Sequence, residues 1–444
     1  MSTTLPPGPK PHFLVGNLPE FGADILGFFT NLAKEYGDIA SIRLAGWDAC
    51  FINHPDHFEY VLLTNSKNFI KHTFFFRHVT EIFGKGLLTN EGQPWLRQRR
   101  LAQPAFHRDR IAGYGDVMVA HTDRALGSWT SGQTLDVHHE MMRLTMEIVT
   151  KTLFGVEITG DVAEEIGEVF SDAVEVIANR FRRPIMIPRW VPIPDNVRYR
   201  RSIERLDRLV YGVIAERRAT PGDDLLSMLM AARDEDDGSG MDAKQLRDEA
   251  VTIFLAGHET TAIALSWTFM LLAQHPAVER KLVAELNEVL GSMPPTADDL
   301  PRLPYATNVV TESMRLYPPA YALGREAVGD FEIAGYAFPK GTTVYIAPWV
   351  MHRDARYYDE PEAFRPERWE NNFAKRLPRF AYLPFGGGPR VCIGNSFAMM
   401  EAILILARVM QKFRLSLVPD QTIEPFPSIT LRPRYGIQMR VDVR

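Results

Sequence analysis

Cysteine is almost absent: the chain of 444 residues holds two, Cys50 and Cys392. Two cysteines cannot frame so long a chain with disulfides, so a reducing, cytoplasmic compartment is expected. They also leave no spaced Cys/His set for zinc. Positive charge is not in excess either; the formal net charge of -5 gives no electrostatic reason to expect nucleic acid as a partner. The N-terminus, MSTTLPPGPKPHF, has no basic stretch followed by an apolar one, so no secretory signal is read there. Internal repeats and low-complexity linkers are missing. One apolar run, 250–273, is long enough to cross a bilayer. His258 and Glu259 fall at its middle, where an ionisable group in lipid is costly, so a buried helix of a globular protein is expected instead.

What is present reads as mainly α with small β-sheets. Helical periodicity marks 161–179, 198–218, Ala243–Gln274, 277–290, 305–316 and 395–413. Runs of β-branched and aromatic residues mark strands at Ile39–Leu44, 49–52, Phe331–Ile333 and 342–347. Prolines and glycines crowd 318–394, and the acidic stretch RDEDDGSG, 233–240, reads as an exposed loop. No boundary splits the chain. A single domain over 1–444 is expected, with a Pro-rich segment at 1–20, β-rich parts near 39–65 and 320–350, and a helical remainder.

The stretch FGGGPRVCIG, 385–394, places a cysteine behind three glycines, a proline and an arginine. Such a segment bends tightly and holds a sulfur at a fixed point. A buried structural thiol is the reading for Cys50. For Cys392 an activated thiolate fits better, because a helix begins just past it and its N-terminal dipole and N–H groups favour negative charge.

FGGGPRVCIG resembles the heme-binding signature of the cytochrome P450 family, F-x-x-G-x-R-x-C-x-G, with Phe385, Gly388, Arg390, Cys392 and Gly394 in register. The resemblance runs from about residue 5 to the C-terminus. It implies a soluble, bacterial-type heme-thiolate monooxygenase, with heme b (iron protoporphyrin IX) buried between a long central helix and the cysteine loop. Cys392 would be the axial ligand of the heme iron. The glycines would let backbone lie against the porphyrin, Phe385 would pack beside the sulfur, and Arg390 would reach a propionate. Trp95 and Arg99, in WLRQR, and Arg325, in LGREAVG, match further propionate-binding positions.

AGHETT, 256–261, lies inside the long apolar run and is similar to the family's oxygen-activation segment. Read alone, it is a buried polar patch in which Thr260 and Thr261 bond back to the carbonyls of Ala256 and Gly257. By resemblance, the segment loosens into a groove beside the heme, Thr260 hydrogen-bonds the activated oxygen, and Glu259 helps deliver protons. His258 is read as packing. In ESMR, Glu312 and Arg315 can pair at i, i+3, and FRPERW supplies Arg368. The plain alternative is a surface pair of little worth; the resemblance implies a buried brace for the cysteine loop.

The chain carries no flavin- or nicotinamide-binding half and no iron–sulfur cysteine set, so electrons are expected from a separate ferredoxin- or flavodoxin-type donor with its reductase. A monomer is expected. Arg97 and Arg100, on a helix face distinct from Arg99, are expected to meet that donor. Pocket candidates are Phe74, Phe75, Phe76 and Phe83, from NFIKHTFFFRHVTEIFGKGLL, with Ala256; a phenylalanine cluster is also what an ordinary core shows. The segment 184–196 with Arg180, Arg182, Arg183, Arg198, Arg200 and Arg201 corresponds to a lid in relatives or to a solvated face. The function implied is activation of dioxygen and hydroxylation or epoxidation of a hydrophobic small molecule such as a fatty acid, terpenoid or steroid. Two other classes stand beside it: a heme-thiolate isomerase or dehydratase, and a heme-based diatomic sensor without turnover.

Overall fold

The computed structural model describes residues 5–157, 190–234 and 238–444. The expected helix over 161–179, the segment 184–189 and Arg180, Arg182 and Arg183 lie outside those residues. Arg198, Arg200 and Arg201 are exposed on the helix Pro194–Ala219, as a solvated face requires.

The site is built around the helix Ala243–Gln274, whose expected and observed bounds coincide. Asp242 starts it by accepting a hydrogen bond from the Gln245 N–H, one of the donors a first turn leaves unpaired. From Leu246 to Leu272 it is buried almost all round, which makes it a core element with no solvent face. Among the described residues no helix is long and apolar enough to cross a membrane.

Val137–Phe154 packs along this central helix, and Asn395–Lys412 packs beside it. Periodicity does not reveal Val137–Phe154, because Thr145, Glu147, Thr150 and Thr152 are buried among its apolar residues. The threonines satisfy themselves internally: Thr145, Thr150 and Thr152 donate to the carbonyls of Met141, Met146 and Ile148 at 2.8, 2.9 and 2.7 Å.

A five-stranded sheet runs in the order Ile39–Leu44, Trp47–Ile52, Thr343–Ile346, Leu323–Ala327, Phe69–Ile70. Cys50, opposite Val344 in its parallel pair, is fully buried, and burial pushes its thiol up. The β-rich stretch expected near 39–65 stops at Ile52; Pro55–Glu59 and Tyr60–Thr64 are helical, opened by the His54 cap on the Asp56 N–H. Strands also form late in the chain. Phe413, expected as a helical residue, begins Phe413–Leu417, which pairs with Gln438–Val443. Pro425–Pro427 and Leu431–Pro433 make a hairpin. The expected fold class holds: mostly helical, with small sheets.

Candidate active site

Where the central helix passes the FGGGPRVCIG loop the two border one cavity of about 1500 Å³, predominantly apolar. Phe385, Arg390, Cys392 and Gly394 line it from the loop, and Ala256, Glu259 and Thr260 from the helix. Gly386 and Gly388 bend the loop in the left-handed region, with φ of 69° and 65°. At Gly388 there is also no room: a Cβ would lie 1.8 Å from the Leu62 carbonyl oxygen. The Cys392 N–H donates to the Phe385 carbonyl at 3.0 Å and closes the loop. The helix Asn395–Lys412 then begins at once, with Gly394 as its N-cap.

Cys392 is exposed, but only in the sense that it opens on this cavity. Burial pushes its thiol up, and the Gly394 N–H, Arg99 and Lys71 only partly offset this. The expected net preference for thiolate is therefore corrected: the enclosing wall withholds more water than the helix terminus returns in charge stabilisation. A metal ion bonded to the sulfur would remove the proton outright.

Positive charge converges beside the loop. Arg325 is lowered to about 10, by burial first and then by Arg390, against Glu91. Lys71 is lowered to about 7, by burial first and then by Arg325 and Arg390, against Glu91 and Cys392. Arg390 is also lowered by burial; it pairs with Glu91 and lies 3.9 Å over the Trp95 ring. Glu91 is the carboxylate that appears among the influences on all three cations, and it cannot balance them. The corner fits an anionic group. Trp95 thus reaches the site through Arg390, and Arg99 through the Val391 carbonyl, to which its Nη1 donates at 2.8 Å. Sequence reasoning missed Lys71; a lone lysine ahead of three phenylalanines carries no signal of its own.

On the central helix, Thr260 donates to the Ala256 carbonyl at 2.8 Å and Thr261 to that of Gly257 at 3.4 Å, as expected of back-bonding hydroxyls. The helix runs unbroken through AGHETT. Gly257 serves packing as well: a Cβ there would lie 3.1 Å from Val149 Cγ2 on the neighbouring helix. Glu259 is buried, its carboxyl raised by burial, and Oε1 accepts from Thr430 Oγ1 at 2.8 Å. His258 is fully buried, as packing requires. A second acid escaped notice in the sequence. Glu401 is fully buried on Asn395–Lys412, neither oxygen has a hydrogen-bond partner within normal distance among the described residues, and burial holds its carboxyl well above the usual range, with Thr261 pulling it down.

Phe74, Phe76, Phe83 and Ala256 line the cavity; the side chain of Phe75 lies outside the described set. After Phe83 the chain is tied to the central helix by acids. The Lys85 N–H donates to Asp248 Oδ2 at 2.8 Å and the Leu87 N–H to Glu249 Oε2 at 3.0 Å. Burial raises Glu249 to about 8, against the Leu87 N–H and with Asp248. The folded state therefore holds this proton more tightly than the unfolded chain. Its stabilisation is full below the unfolded pKa and is lost as pH rises through about 8. Glu249→Gln is expected to flatten the fall of melting temperature between about pH 5 and pH 9, by at least ~2 °C. Parallel melting curves for the two proteins would show that Glu249 does not hold this proton.

Glu312 and Arg315 form no surface pair; both are fully buried. Arg315 donates to the two oxygens of Glu312 at 2.8 Å each, Arg368 Nε donates to Oε1 at 3.3 Å, and Trp369 Nε1 to Oε2 at 2.9 Å. Arg315 Nη1 also donates to the His352 carbonyl at 2.8 Å, and His352 Nε2 accepts from the Leu383 N–H at 3.0 Å, two residues before Phe385. Arg97 and Arg100 both pair with Asp234, at 3.1 and 3.3 Å, so part of the charge expected to meet an electron donor is engaged within the chain. By the same contacts Asp234, in the stretch read as an exposed loop, is buried.

The cytochrome P450 family model matches residues 6–441. Cyclooctatin synthase of Streptomyces melanosporofaciens is 36% identical over 431 residues, covering 96% of this chain and 93% of its own. Pentalenene oxygenase of Streptomyces avermitilis is 34% identical, with 99% and 97% covered. Cyclooctat-9-en-7-ol 5-monooxygenase of Streptomyces melanosporofaciens is 37% identical, with 95% and 91% covered. A cysteine loop and an acid–alcohol helix on one apolar cavity, together with a match over nearly the whole chain, lead to one statement: the chain belongs to the cytochrome P450 family and is a heme-dependent monooxygenase that uses dioxygen and electrons from redox partners on a hydrophobic substrate.

Proposed function

We propose that the chain is a terpenoid hydroxylase that would carry heme b, with the Cys392 sulfur as the group that would hold its iron. The observation that carries this reading is that Cys392 and the Glu259–Thr260 pair line one predominantly apolar cavity whose cations exceed its carboxylates. Bound heme supplies the dioxygen chemistry: one oxygen atom enters a C–H bond and the other leaves as water, with two electrons and two protons taken up. The protein does the rest. Phe385, Gly388 and Gly394 shape the loop that presents the sulfur. Arg325, Arg390 and Lys71 would hold the propionates, Trp95 supports Arg390, and Arg99 fixes the Val391 carbonyl beside the sulfur. Thr260 offers a hydroxyl to the cavity, and Glu259 carries protons from solvent.

Phe74, Phe76, Phe83 and Ala256 give the substrate an apolar surround. Two relatives are named for oxygenating pentalenene and cyclooctat-9-en-7-ol, which supports a terpenoid over a fatty acid or steroid. A ferredoxin- or flavodoxin-type donor, a monomeric state and a cytoplasmic setting complete the reading; the two free cysteines support the last.

Titration of the heme-loaded protein with cyclic terpenes and terpene alcohols tests it. A saturable low-to-high-spin shift is expected. With surrogate ferredoxin, reductase and NADPH, the product should carry one atom from isotopically labelled dioxygen. Spin shifts with fatty acids or steroids and none with terpenes would move the assignment to those classes.

A further inference from the structure

The hairpin Pro425–Pro427 and Leu431–Pro433 belongs to two places at once. Its turn, Ser428 to Thr430, lines the cavity. It is also fixed to the framework around the central helix. Trp267 Nε1 donates to the Leu431 carbonyl at 2.8 Å, the Tyr321 hydroxyl to the Ser428 carbonyl at 2.8 Å, and the Leu431 N–H to the Pro319 carbonyl at 3.0 Å. Within this frame Thr430, 7% exposed, donates its hydroxyl to Glu259 Oε1 at 2.8 Å from 171 positions away. Arg432, two residues further along in the strand Leu431–Pro433, adds positive charge toward that carboxyl.

A glutamate side chain is long and rotatable, and fixing it costs conformational entropy that some bond must offset. A proton passes only to a partner within hydrogen-bond reach, so the direction in which the carboxyl points decides whether Glu259 can serve. We infer that Thr430, held in place by this pinned turn, is the positioning residue for Glu259. The inference rests on the reading of Glu259 as the carrier of protons from water to the oxygen being reduced, with the electrons coming from the redox partner. Thr430 itself touches neither the cofactor nor the oxygen in this scheme. It acts through Glu259.

The test uses the heme-loaded full chain. Thr430→Val removes the hydroxyl at nearly constant volume, and Thr430→Ser keeps it. In Thr430→Val the product formed per NADPH consumed is expected to fall roughly three- to tenfold, the effect of one lost hydrogen bond on a proton-transfer step. Hydrogen peroxide rises in its place, the solvent isotope effect on turnover grows, and the spin-shift titration stays as in the wild type. Thr430→Ser restores coupling. Independently of turnover, the infrared carboxyl band that disappears in Glu259→Gln should shift in Thr430→Val and stay in place in Thr430→Ser. Should Thr430→Val lose its melting temperature, Thr430→Ala carries the same comparison. Normal coupling in Thr430→Val, or uncoupling as deep in Thr430→Ser, overturns the inference. Uncoupling in Glu259→Gln together with normal coupling in Thr430→Val overturns it while the reading of Glu259 stands. If Glu259→Gln is itself normally coupled, that reading fails and the inference falls with it.

Discussion

Heme-loaded Cys392→Ala should show no NADPH-driven oxygenation, a loss beyond the roughly 10- to 100-fold that removing an outer-shell partner of a metal ligand costs. Its reduced carbon monoxide complex should also lose the red-shifted Soret band that a thiolate donor gives. The argument is positional. The loop turns on two left-handed glycines, closes through the Cys392 N–H, and delivers this sulfur into the cavity. The other cysteine cannot substitute for it, because Cys50 is fully buried in the five-stranded sheet. Cys50→Ser should accordingly leave the spectrum and the turnover as they are. A wild-type band in Cys392→Ala would remove Cys392 from the site.

Glu312→Ala should cost about 3–5 kcal/mol, a fifth or more of the stability of an ordinary domain. The carboxylate accepts from Arg315, Arg368, the Arg365 N–H and the Trp369 indole. Its removal strands the fully buried Arg315 guanidinium with backbone carbonyls as its remaining partners. Because Arg315 holds His352 and His352 holds Leu383, the damage should reach the cysteine loop. The denaturant midpoint and the yield of heme-loaded protein measure it. Glu312→Gln, which keeps shape and part of the hydrogen bonding, should fall between the two. A wild-type midpoint in Glu312→Ala would refute the brace.

The parts legible in the sequence are those whose physics is local. Asp242 and the apolar run give the central helix its bounds, FGGGPRVCIG gives the turn and its sulfur, and i−4 spacing gives the threonine back-bonds. The brace was legible only through resemblance, since ESMR and FRPERW show nothing of their burial. What stayed hidden depends on distant partners. Lys71 gains meaning from Arg325 and Arg390, Thr430 from Glu259, and Glu401 is an acid inside an otherwise apolar helix face. The pairing of Arg97 and Arg100 with Asp234, more than 130 positions away, was equally invisible. The sign of the Cys392 shift was missed for a related reason: a helix terminus is visible in the sequence, whereas the thickness of the wall around it is not.

The five-stranded sheet carries a consequence for the order in which the protein comes into being. Phe69–Ile70 finds its partner in Leu323–Ala327, Trp47–Ile52 pairs with Thr343–Ile346 as well as with the adjacent Ile39–Leu44, and Arg390 reaches Asn90 from 300 positions away. At roughly 5–20 residues per second, the ribosome makes the first half of the cofactor cradle on the order of half a minute before the second. Contacts of such separation close late and slowly. Lys71, Glu91 and Trp95 are therefore made well before Arg325 and Arg390, the cations that complete their corner of the cavity. Heme capture is therefore expected to follow synthesis of the second half, and by mass action a captured heme would stabilise the folded chain in which the two ends meet.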